Sequence, residues 1–109
     1  MKPVKITVIR KEFFPELADR YLTEGKTVGA CPLLEVGDSF VFSGGAVMPK
    51  GFCPWAWHDI YGSASALAAG ATYTPWNNRD GQPIVCCTDG IRPVVFDLRA
   101  LGDAENTAE

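Results

Sequence analysis

One segment of this chain, Pro54 to Ala69, carries a long apolar stripe at helical spacing, with Trp57, Ile60, Tyr61, Ala64, Leu67 and Ala68 recurring at intervals of three and four. Pro54 suits the first helical position and Gly70 is placed to end the helix. A helix with one apolar stripe must bury it against a second layer. The other side of this helix offers Gly62, Ser65, Ala66 and Ala69, residues small enough for another backbone to approach closely.

The rest of the chain reads as the strands that would form that layer. Val4 to Arg10 alternates, with Val4, Ile6 and Val8 on one face and Lys5, Thr7 and Ile9 on the other. Pro15 then opens a short helix whose Phe14, Leu17, Ala18 and Tyr21 share a face, ending near Gly25. From Gly25 to Gly37 the chain is rich in Gly and Pro and reads as a loop carrying Cys31. Ser39 to Ser43 reads as a second strand, with Phe40 and Phe42 on one face. Pro83 to Thr88 and Ile91 to Leu98 flank Asp89-Gly90, the dipeptide of a two-residue hairpin turn. That turn would set Thr88 opposite Ile91, Cys87 opposite Arg92 and Cys86 opposite Pro93.

The order strand, helix, strand, helix, strand, strand predicts an α+β fold. It is expected as a single small domain over residues 1–100, two helices packed on a largely antiparallel four-stranded sheet ending in a β-hairpin. Residues 101–109 read as an acidic flexible tail. Asp103, Glu105 and Glu109 lie in that tail, so the net charge of −3 leaves the ten basic and ten acidic residues of 1–100 in balance. A neutral domain lacks the cation surplus that binds nucleic acid or an anionic membrane surface. The first apolar stretch, Val4 to Ile9, is interrupted by Lys5 and closed by Arg10 and Lys11, so neither an export signal nor a membrane span is expected, and the cytoplasm is the expected location. With eight prolines and eleven glycines limiting its own core, the chain is expected to form a homo-oligomer.

Four cysteines are too few for a disulfide scaffold, and their spacing contains no C-x-x-C pair, which leaves free thiols or metal ligands. Cys53 stands at the start of the long helix, where unpaired N–H groups favour a thiolate, and is a candidate nucleophile. Cys87 is the second candidate, because the expected hairpin sets it across from the Arg92 guanidinium. For both, packing as a small apolar residue is the competing account. Cys86, on the other face of the strand, is expected in the core. His58, the only histidine, adjoins Asp59, which could orient it as base or ligand. Cys31 and Cys53 with Cys87 or Cys86, or Cys53 and His58 with a third thiol, would suit a zinc or iron ion. Trp55 and Trp57, with Trp76, could wall a planar or apolar ligand, although Trp57 lies on the apolar stripe and Trp55 off it. No phosphate-loop, dinucleotide, zincin or nucleophile-elbow motif is present.

Two stretches, Gly51-Phe52-Cys53-Pro54-Trp55-Ala56-Trp57-His58-Asp59-Ile60-Tyr61 and Cys86-Cys87-Thr88-Asp89-Gly90-Ile91-Arg92-Pro93-Val94-Val95-Phe96, resemble the signature segments of a family of short, uncharacterised prokaryotic proteins. The layout of Val4 to Val8, Cys31-Pro32-Leu33 and Glu35 to Phe40 is similar too. The resemblance implies a stand-alone domain and sets Cys31, Cys53, Cys86, Cys87, Asp89 and Arg92 inside signature segments. It implies no activity.

Two functional expectations follow. In the first, a small molecule or a metal binds, with or without catalysis, at the thiols of Cys53 and Cys87, with Trp55, Trp57, His58, Asp89 and Arg92 as ligand-binding residues. In the second, the chain is a non-catalytic oligomerising or accessory protein whose cysteines are structural. Exposure of Cys53 and Cys87 in one shared pocket would favour the first.

Overall fold

In the computed structural model, which describes residues 1–102, strand β1 (Val4–Lys11) lies inside a four-stranded antiparallel sheet. Helix α1 (Pro15–Tyr21), a 3-10 turn (Gly25–Val28), β2 (Ser39–Phe42), helix α2 (Pro54–Ala68), β3 (Ile84–Cys86) and β4 (Val94–Ala100) follow. The strand order is β2-β1-β4-β3, so β2 and β3 are the edges. The fold is the expected α+β domain, with two helices, an open antiparallel sheet and β3-β4 as a hairpin. Among the described residues no helix is long and apolar enough to cross a membrane.

The alternation of β1 does what its period requires. Val4, Ile6 and Val8 are buried on the face that α2 covers, beside Val94, Phe96 and Leu98 of β4. From α2, Ala56, Ile60, Ala64, Leu67 and Ala68 enter the same core. An aromatic run completes it: Phe96 meets Phe52 at 5.3 Å between ring centroids, Phe52 meets Phe40 at 5.0 Å, and Trp57 meets Phe42 at 5.1 Å. Edge-to-face and tilted contacts of this kind add to the area each ring buries. Gly70, at φ 101°, occupies a conformation that L side chains rarely adopt and lets the chain leave α2 where the apolar stripe ends. The small side of α2 stays open, with Gly62, Ala66 and Ala69 exposed.

Tyr21 does not join Ala18 in burial; its ring is exposed and carries the Arg20 guanidinium at 5.6 Å. Leu101, assigned to the tail, is buried, and its N–H donates to the Pro3 carbonyl at 2.8 Å, so the fold runs past residue 100. The remainder of the expected tail, 103–109, lies outside the described residues.

The hairpin is wider than its Asp-Gly dipeptide predicts. Cys86 pairs with Val95 rather than Pro93, and the Cys87 N–H donates to the Val94 carbonyl, so the connection is the wider loop Thr88–Pro93. Gly90 has no positive φ, which a two-residue Asp-Gly turn would demand. The cause is the Asp89 side chain: its Oδ1 accepts the N–H groups of Ile91 at 2.9 Å and Arg92 at 3.0 Å, turning the backbone early. A slip of two residues keeps each side chain on its expected face, so Cys87 still shares a face with Val85, Val94 and Phe96. The opposite face is the solvent side of the sheet, and Cys86 is exposed there with Ile84, not in the core.

Candidate functional site

Three segments far apart in sequence supply the site. The first is the start of α2. Cys53 is its N-cap residue, in an extended conformation, and its carbonyl accepts the Trp57 N–H at 2.9 Å; its thiol makes no capping bond. The second is the loop after the 3-10 turn, where Cys31 and the buried Leu34 sit. The third is the end of β3 with the loop behind it. There the Val94 N–H donates to the Cys87 Sγ at 3.3 Å, so that this thiol occupies a place in the ladder that a carbonyl would ordinarily fill.

These segments enclose a cavity of about 110 Å³. Cys31, Cys53 and Cys87 line it together with Trp55, Asp89 and Arg92. Leu33, Leu34, Ala56 and Val94 make the rest of its wall. Leu33 and Trp55 are 68% and 61% exposed, so the wall carries an apolar edge out to solvent.

Two polar clusters hold this arrangement. In one, the Trp55 Nε1–H donates to Thr88 Oγ1 at 2.8 Å, and the Thr88 N–H and hydroxyl donate to the Asp59 carboxylate at 2.8 and 3.0 Å. Trp55 and Asp59 are one turn apart on α2, so Thr88 ties the loop to the helix at two points on one face. In the other, Asp89 accepts the two backbone N–H groups of its own loop, and its Oδ2 lies 3.3 Å from Arg92 Nε. Burial pushes the Asp89 carboxyl up, but those N–H groups and the Arg92 guanidinium outweigh burial and hold it below the usual carboxylate range. Asp89 is therefore an anion that shapes the loop and points Arg92, with both its oxygens engaged.

Of the residues expected at the site, Cys31, Cys53, Cys87, Trp55, Asp89 and Arg92 converge, although Arg92 reaches the cavity from the loop and not as a cross-strand partner of Cys87. Trp57 and His58 do not. Trp57 packs among Phe42, Phe52 and Tyr61, and the exposed His58 borders a different depression with Ala46, Trp57 and Tyr61. Asp59 does not orient His58, because successive helix residues diverge by about 100° and its carboxylate is held by Thr88. Trp76, 92% exposed, lies with Asn77 and Arg79 on another loop. Among the described residues no three His, Cys, Asp or Glu side chains are arranged to hold a metal ion, so Cys31, Cys53 and Cys87 share a cavity without forming a ligand set. Thr88 was not anticipated, and Asp59 was expected beside His58 and not on this loop. The i, i+4 alignment of Asp59 with Trp55 was the available signal.

No family model, no curated protein and no solved structure matches this chain.

Proposed function

We propose that this protein binds a compact small molecule in the thiol-lined cavity, with Cys53 and Cys87 toward its reactive centre and Arg92 toward an anionic group. The observation that carries this reading is convergence: cysteines from three separated segments line one cavity with an arginine, while the neighbouring Cys86 faces solvent. The two stretches on which the family resemblance rests are the ones that meet there, the first through Cys53 and Trp55, the second through Cys87, Asp89 and Arg92. At about 110 Å³ the cavity falls below the roughly 300–1,000 Å³ of drug-sized sites, so the group it takes is small. An assembly protein with structural cysteines would account for the exposed small side of α2, but not for three thiols gathered on a cavity with a cation.

Cys86 is an internal standard for the test. The full chain is treated with limiting iodoacetate or iodoacetamide, near-isosteres that differ in charge, and each thiol is mapped by mass. A thiolate displaces iodide from either reagent. The iodoacetate-to-iodoacetamide ratio at Cys53 or Cys87 should exceed that at Cys86 about tenfold, the factor that roughly 1.4 kcal/mol from a charge-assisted contact supplies. Arg92→Ala should bring the ratio down to that of Cys86, and Arg92→Lys should keep part of it, having the charge without the planar fork. Equal ratios at all thiols, or cavity thiols that react with neither reagent, would overturn the proposal.

A further inference from the structure

Beside the thiol cavity lies a second, larger one of about 540 Å³, bordered by Thr23, Glu24 and Thr27 and sharing Asp89 and Arg92 with the first. The same two strips of chain wall both: residues 22–28 lead into residues 31–34 on one side, and the loop Thr88–Pro93 stands opposite. The two cavities adjoin at Asp89 and Arg92, a crevice smaller and mostly apolar at the thiols, larger and more polar beyond Arg92. Resting on the reading of the thiol cavity given above, we infer that the crevice takes a low-molecular-weight disulfide bearing carboxylate and ammonium groups and that a cavity thiol exchanges with it.

The narrow end has room for a sulfur and its adjoining carbons, while the body of the molecule must lie in the wide end. There Arg92 faces a carboxylate, Glu24 an ammonium, and Thr23 offers a hydroxyl, while the Thr27 hydroxyl donates to the Glu24 carbonyl at 2.6 Å and can only accept from the ligand, the complement of an amino-acid-like body. A disulfide also needs nothing from the site except a thiolate. The Cys87 sulfur, or that of Cys53, attacks one sulfur of RS–SR; a new S–S bond forms to the protein, the old one breaks, and the departing RS⁻ takes up the proton the protein thiol lost. No other oxidant or reductant enters.

The test compares oxidised glutathione, which carries both charges, with the neutral bis(2-hydroxyethyl) disulfide on the reduced full chain, mapping mixed disulfides at each cysteine over time. The glutathione-to-hydroxyethyl rate ratio at Cys87 or Cys53 should exceed that at Cys86 by about tenfold. Glu24→Gln and Arg92→Ala should each lower this excess severalfold. Should the neutral disulfide mark cavity thiols while glutathione marks only Cys86, the crevice inference falls and the thiol cavity stands. Should neither disulfide reach a cavity thiol, both fall. An excess indifferent to Glu24→Gln would overturn the assignment of the wide compartment to an ammonium-bearing body.

Discussion

Truncation of Phe96 to alanine is expected to lower the stability of the fold by about 3–5 kcal/mol, against the roughly 5–15 kcal/mol that holds a domain together. Phe96 is fully buried, pairs with Val8 and Val85 on the neighbouring strands, and packs on Phe52, which joins β4 to the aromatic run under α2. Its loss removes apolar burial and leaves a void that these rings cannot close without leaving their contacts. Val95, the preceding residue, points to the solvent side, and Val95→Ala should cost less than about 1 kcal/mol. Urea unfolding of the three proteins checks this: a pronounced fall in midpoint for Phe96→Ala alone is the expected result, and similar falls for both would mean that the sheet faces are misassigned.

Asp89 should show the second large effect. Asp89→Ala strands the Ile91 and Arg92 N–H groups and releases the Arg92 side chain, a cost of about 1–3 kcal/mol. Asp89→Asn keeps a carbonyl oxygen for the two N–H groups but loses the ion pair, and should fall between the two. The pH dependence has a definite sign. Because the folded-state carboxyl is held below its ordinary range, its contribution is present above the ordinary carboxylate value and is lost as pH falls through the lowered folded value. The stability gap between the native chain and Asp89→Ala should therefore narrow on acidification from neutral pH. A gap that stays constant or widens toward acid would show that Asp89 does not hold the loop as an anion.

The parts of the molecule legible in the sequence are those set by local periodicity. Helix α2 begins at Pro54 and ends one residue before the expected boundary, and β1 alternates as its residues require, because in both the pattern of burial is written in consecutive side chains. Cys31, Cys53, Cys87, Trp55, Asp89 and Arg92, which line one cavity, were each singled out from residue chemistry, but within a larger group that included Trp57 and His58, and Cys31 only as a metal ligand. What was misread turned on competition or on distance. Asp-Gly reads as a tight turn until the Asp89 carboxylate is seen to capture its own loop's N–H groups. The strand face of Cys86 was read correctly, but which face is solvent depends on where α2 packs, and that is a tertiary fact. Thr88 and Asp59, separated by 29 positions, carry no local mark of their bond. His58 drew attention by chemistry alone, and its position on α2 turns it away from the thiols.

Cys31, Cys53 and Cys87 share one small cavity from which Cys86 is excluded. Treating the folded chain with excess N-ethylmaleimide and counting adducts by intact mass, with far-UV circular dichroism to verify the fold, tests it most directly. A maleimide adduct on one thiol would fill most of a cavity of about 110 Å³, so modification of any one cavity thiol should block the other two, while Cys86 reacts independently. The predicted result is a plateau at two adducts on the folded chain, one at Cys86 and one shared among Cys31, Cys53 and Cys87, rising to four after unfolding. A folded chain that accepts adducts on two or three of the cavity cysteines at once would contradict the account.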